Sequence, residues 1–276
     1  MAIATLDQYI AANKQRINIV KTASRTVVLG MPFGVRDLAG SPTVANLLGT
    51  ANPSVMVTDA DGGFPLIDFS TGIGYLSRVE FGSTVACRLW LFDTIYRAYI
   101  AAGYTAATTT MSAQPNIQAR CPDYTASTFW GRENEIWVEI CTAYAGGTSV
   151  PVTVTYTNSE GTAGRTTGAV TMALANQTLG RMTRFPLQAG DVGVQKIESV
   201  VIGAPTGTYS AGAIHVCIMR PIWTAGRCKL VNDGDVHDML KTGMSRVYAD
   251  SALQLIIQAD STASGIPEIQ IEIASA

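Results

Sequence analysis

A chain of 276 residues, 47% hydrophobic and only 14% charged, is long enough to bury a sizeable core without staples, long for one sandwich and short for two full domains. Its formal charge of -2, with no basic run and no aromatic-basic stripe, excludes a phosphate-contacting footprint for nucleic acid. The missing charge is replaced by Thr, Ser, Ala and Gly, so the surface repels neighbours weakly and is easily desolvated, as large permanent contacts require.

The opening residues lack the charged-then-apolar order of a secretory signal, and no apolar stretch is long enough for a membrane-spanning helix. The expectation is a soluble protein assembled in a cytoplasm. The first predicted element is a short helix. Thr5 can cap it, and Leu6, Tyr9, Ile10 and Asn13 follow at helical spacing. So short a helix is marginal alone and should dock on something. Residues 22–70 carry many breakers, among them Gly30, Pro32, Gly40, Pro42, Gly49, Pro53, Gly62 and Pro65. They predict an extended Pro/Gly-rich arm that acts as an interaction element.

Strand patterns begin near residue 73. Residues 74–81 alternate, with Leu76 and Arg78 on one face and Ser77, Val79 and Phe81 near the other. Gly82-Ser83-Thr84 makes the turn into a more buried run over 85–92. Residues 135–144 form another strand. Over 150–157, Val150, Val152, Val154 and Tyr156 share one face, and a turn at 158–161 closes a hairpin onto 164–171. Pro151 belongs at a strand start or an edge. Further strands are expected over 194–202, 211–220, 252–258 and 268–273. In the last, Ile269, Ile271 and Ile273 face in while Glu268, Gln270 and Glu272 face out. A short helix is expected within 235–249, around 236–240. The fold class is all-β: an antiparallel, jelly-roll-like β-sandwich over 71–276, preceded by the helix and arm over 1–70.

Residues able to do chemistry are few. His215 lies mid-strand beside Ala213, Cys217 and Met219 and reads as a tucked-in histidine. Asp233, Asp235, His237 and Asp238 form the densest polar cluster. They could ligate a metal, but the same residues make a turn and a helix N-terminus, with Asp233 or Asp235 as the cap. Asp59 and Asp61 resemble part of a calcium loop, yet the ligand register fails at Val57 and a turn is the better reading. Glu133 with Glu135, and Glu268 with Glu272, read as solubilising pairs. No nucleophile elbow or phosphate loop is present; Gly72-Ile73-Gly74 lacks the third glycine. Asn176 heads an isolated sequon. The five cysteines, Cys87, Cys121, Cys141, Cys217 and Cys228, are widely spaced and read as buried free thiols, neither a disulfide framework nor a zinc site. No residue is assigned to catalysis, a cofactor or a metal.

The docking helix, Pro/Gly-rich arm and low-charge strands together resemble virion structural proteins of tailed bacteriophages. The segments 180–182, 186–191, 194–200 and 232–238 are similar to stretches of head-associated proteins. The resemblance implies a capsid decoration (cement) protein, a homotrimer that clamps neighbouring capsomers. Its partners would be the major capsid protein, other virion subunits and itself, and its location the virion. The spine helix and charged extended loop of a major capsid protein are missing. Two alternatives stand beside this. One is a tail, baseplate or fibre adhesin that binds host glycans through Tyr124, Phe129 and Trp130 beside Arg120 and Arg132. The other is a carbohydrate-active enzyme on the same sandwich.

Overall fold

A computed structural model describes residues 3, 5–36, 38–42, 54–61, 64, 66, 69, 73–111, 114–124, 129–173 and 177–275. Gly49, Pro53, Gly62, Gly63, Pro65, Gly72 and Asn176 lie outside them. The described chain is all-β and antiparallel. Helix α1 (Leu6–Ala11) leads into β1 (Asn13–Lys21), β2 (Pro32–Gly34), β3 (Gly40–Ser41) and β4 (Val55–Met56). Next come β5 (Ile73–Ser83), β6 (Cys87–Ile100), β7 (Ala107–Thr110), β8 (Glu135–Gly146) and β9 (Ser149–Asn158). They are followed by β10 (Arg165–Thr166), β11 (Val170–Ala173), β12 (Met182–Phe185), β13 (Val194–Ile202) and β14 (Tyr209–Cys228). The chain closes with β15 (Asp233–His237), α2 (Met239–Thr242), β16 (Arg246–Tyr248), β17 (Leu253–Ala259) and β18 (Pro267–Ser275).

The chain folds as two compact units. The first comprises Met1–Leu47, Thr58–Asp93 and Pro221–Ala276, and the second Leu48–Val57 and Thr94–Arg220. Strands β6 and β14 each run from one unit into the other.

In the first unit, one sheet has the order β15-β5-β18-β1-β3, with β16 also on β5. The early part of β6 pairs with β17, which pairs with β2. A single core draws on both groups of strands, including Ile19, Phe33, Leu76, Phe81, Leu89, Leu255 and Ile271. In the second unit, β10-β9-β13-β7 form one sheet and β12, β8 and β14 pair in order. Its separate core includes Ile95, Ile136, Val138, Val152, Val154, Tyr156, Ile197 and Ile214. Strict alternation along β9 works as the sequence implies: Val150, Val152, Val154 and Tyr156 are fully buried.

Three local expectations change. First, Leu76 does not share a face with Arg78. The β5–β18 register shifts between Glu272↔Arg78 and Ile273↔Leu76, leaving Ser77 as the extra residue of a bulge. The slip returns Leu76 to the core beside Val79 and Phe81, and the Ser77 hydroxyl donates to the Glu272 carbonyl at 3.1 Å. Second, residues 233–237 are a strand on β5, and the helix starts only at Met239. Third, the described parts of residues 1–42 are built into the first unit. β1 pairs with β18 from Asn13↔Ser275 to Val20↔Glu268. Ile19, Phe33 and Val35 are core residues, and Lys21 Nζ, buried, donates to the carbonyls of Leu38 at 3.2 Å and Pro42 at 2.9 Å. A segment with such contacts is part of the fold, so removing residues 1–40 removes core residues and a strand paired to β18.

Candidate assembly surface

Helix α1 starts with a reciprocal capping box. The Gln8 N–H donates to Thr5 Oγ1 at 3.2 Å, and the Thr5 N–H donates to Gln8 Oε1 at 3.1 Å. The helix docks on its own sheet through one polar node. Glu272 accepts from Tyr9 Oη at 3.1 Å, Arg16 Nε at 3.0 Å and Ser77 Oγ at 3.0 Å. Burial pushes the Glu272 carboxyl up, but the bonds from Arg16, Ser77 and Tyr9 outweigh it and hold the group below its usual range. Glu272 therefore faces outward from the core yet is covered, unlike the exposed Glu268. With Tyr9 turned to the sheet, Leu6 and Ile10, neighbours at i and i+4, are 63% and 64% exposed.

A second apolar group lies where β14 returns into β15. Asn232 takes a left-handed φ of 55°, which Asn tolerates better than most residues. The Asp233 carboxylate accepts from the N–H groups of Lys229 at 2.7 Å, Leu230 at 3.3 Å and Gly234 at 2.9 Å. These bonds, the Lys229 one foremost, hold Asp233 below the ordinary carboxylate value. The turn thus needs Asn232 and Asp233. It does not need Leu230 and Val231, which stand 71% and 68% exposed. Farther along, Asp238 caps α2, accepting from the N–H groups of Leu240 at 3.1 Å and Lys241 at 3.2 Å. Leu240, held by that cap, is 86% exposed.

The polar residues singled out in the sequence serve the fold. The cap is Asp238, and not Asp233 or Asp235, which lie in β15. Asp235 accepts from the Val236 N–H at 2.7 Å and lies 3.6 Å from Lys241 Nζ. His237 is buried, and its Nδ1 accepts from Trp223 Nε1 at 3.1 Å. Asp61 accepts from the Thr58 N–H at 2.9 Å and hydroxyl at 2.8 Å, while Asp59 accepts from the Leu66 N–H at 3.2 Å. Among the described residues, no three His, Cys, Asp or Glu side chains come together as a metal site. His215 is buried, 3.6 Å from Glu139, which also accepts from buried Arg97 at 3.1 Å. Glu135 pairs with Arg184 at 2.8 Å and accepts from Trp137 Nε1 at 2.8 Å, whereas Glu133 is exposed.

The expected aromatic-arginine set is divided. Trp130 is buried, and the buried Arg120 guanidinium donates to the carbonyls of Val57 and Thr94. Tyr124, Phe129 and Arg132 are exposed. Of the remaining arginines, Arg165 pairs with Asp191 at 3.0 Å. Arg181 is buried, and its pKa is pushed down to about 10 by that burial. The sequence reading passed over Leu230 and Val231; the available signal was two large apolar residues directly before an Asn-Asp-Gly turn, where polar residues are the rule.

No protein-family model matches the chain, and no curated protein does. Among solved structures, weak matches occur to VP2 of infectious bursal disease virus. The VP2 subviral particle is 10% identical, with 96% of this chain and 81% of that one covered and a TM-score of 0.18. T=1 particles derived from the same virus are 11% identical, covering 96% and 78%, with a TM-score of 0.17. The Gt strain structure is 10% identical, covering 95% and 81%, also at 0.17. Scores this low assign neither a fold family nor a function.

Proposed function

We propose that this protein is a structural component of a virus particle, and not an enzyme: it decorates and stabilises a bacteriophage capsid by bridging neighbouring subunits. The observation that carries the reading is the display of large apolar side chains on locally fixed backbone. Leu6 and Ile10 stand on a capped helix, and Leu230 and Val231 on a turn locked by Asp233. Single exposed leucines are ordinary. Apolar residues in a turn whose geometry does not require them are better explained by a partner. Burying such a side chain fully is worth about 1.5–3 kcal/mol, and fixed backbone lowers the ordering penalty on binding. The 14% charge content suits contacts that salt does not screen.

The partners in this reading are the major capsid protein or other virion subunits, together with further copies of the chain as a homotrimer. Exposed Tyr124 and Phe129 favour a second reading, a tail, baseplate or fibre module that stacks host-surface glycans on aromatic rings. Locating the protein in purified particles tests both: density on the head supports decoration, and density at the tail or fibre overturns it in favour of the adhesin.

A further inference from the structure

We infer that Cys87 and Cys228 are a latent cross-strand disulfide site, closed by exchange with a low-molecular-weight disulfide. Cys87 opens β6 and Cys228 ends β14, and these strands are neighbours in one sheet. A Cβ on Gly226 would lie 2.8 Å from the Leu89 carbonyl oxygen. With the strands running in opposite directions, two residues farther along brings Cys228 beside Cys87. That register sets the two thiols against each other, and both are buried in the core of the first unit. All five cysteines are free thiols, but only these two are set against each other in this way among the described residues. Cys217 stands opposite Trp137, not Cys141. The Cys121 thiol is turned to the Ile117 carbonyl at 3.6 Å and receives Asn134 Nδ2 at 3.4 Å.

The pair is also chemically asymmetric. The hydrogen bond from Cys228, helped by the Ser83 hydroxyl and opposed by burial, lowers the Cys87 pKa. Giving that bond, together with burial, raises Cys228. Cys87 is accordingly the attacking thiolate. It displaces one thiolate from a small disulfide such as oxidised glutathione, forming a mixed disulfide. Cys228 then loses its proton and attacks the Cys87 sulfur, expelling the second small thiolate. Two protein thiols are oxidised, one small disulfide is reduced to two thiols, and the two thiol protons go to the leaving groups. Both cysteines sit at strand ends next to turns, so local opening of the sheet end admits the reagent without global unfolding.

The test uses the full chain incubated with oxidised glutathione and then denatured for thiol counting, intact mass and peptide mapping. Two of the five thiols should disappear, with a mass loss of about 2 Da for the two hydrogens. The mapped link should join the Cys87 and Cys228 peptides, and the melting temperature should rise and fall back on reduction. C228A should instead hold glutathione on Cys87; if that variant fails to fold, the wild-type peptide map decides alone. Five free thiols after treatment, or a link between any other pair, overturns the inference.

Discussion

Two carboxylates act as knots in the fold, and their titration contributes to its stability in acid. Glu272 is held down by Arg16, Ser77 and Tyr9 against its burial, and Asp191 by Arg165, Tyr156 and Asn158 against its own. A carboxylate with a folded pKa below its unfolded one adds stability at neutral pH. That share is lost as pH falls from about 4, the unfolded range, through the folded value. Glu272→Gln should therefore destabilise the protein at pH 7 by about 2 kcal/mol and flatten the acid side of its stability profile; an unchanged profile in urea titrations from neutral pH downward would show that the node contributes nothing. His237 makes a related point. His237→Ala leaves the buried Trp223 N–H without its acceptor, a loss of about 1–3 kcal/mol. If the nearby carboxylates are structural, added calcium or zinc should leave the melting temperature unchanged in both wild type and Asp235→Ala. A metal-dependent rise confined to wild type would make the loop a metal site.

At the scale of elements, alternation made β9 and the isoleucine face of β18 readable, because each side chain's position follows from its place in a two-residue period. The bulge at Ser77 was not readable, since one inserted residue reverses the faces without leaving a mark in composition. Nor was β1. Its pattern, buried only at Ile17, Ile19 and Lys21 towards its end, is obscured by Asn, Gln and charged residues that face solvent or Glu272. Breaker density over 22–70 did not reveal how its described residues pack, which depends on partners far along the chain. Of the candidate assembly surface, the α1 cap and the helical spacing of Leu6 and Ile10 were legible, while the exposure of both residues depends on Tyr9 finding Glu272. Ile19→Ala should cost about 2–4 kcal/mol, measured by denaturant unfolding. Leu6→Ser with Ile10→Ser, and Leu230→Ser with Val231→Ser, should each stay within about 0.5 kcal/mol of wild type. A large loss from either pair would mean that those side chains serve the fold and not a partner.

For the whole molecule, each unit closes its own core around antiparallel strands, and the proposed function draws on apolar side chains that face outward. That division is what a bridging protein needs: fold stability held inside, association held in contacts that ionic strength does not weaken. The most direct measurement is retention on purified particles across a salt series, comparing wild type with the combined Leu6→Ser, Ile10→Ser, Leu230→Ser, Val231→Ser variant. The account predicts that wild type stays bound at roughly 1 M salt, where the Debye length is about 3 Å, and that the folded variant is lost at every salt concentration. Release of wild type by salt alone, or full retention of the variant, would contradict it.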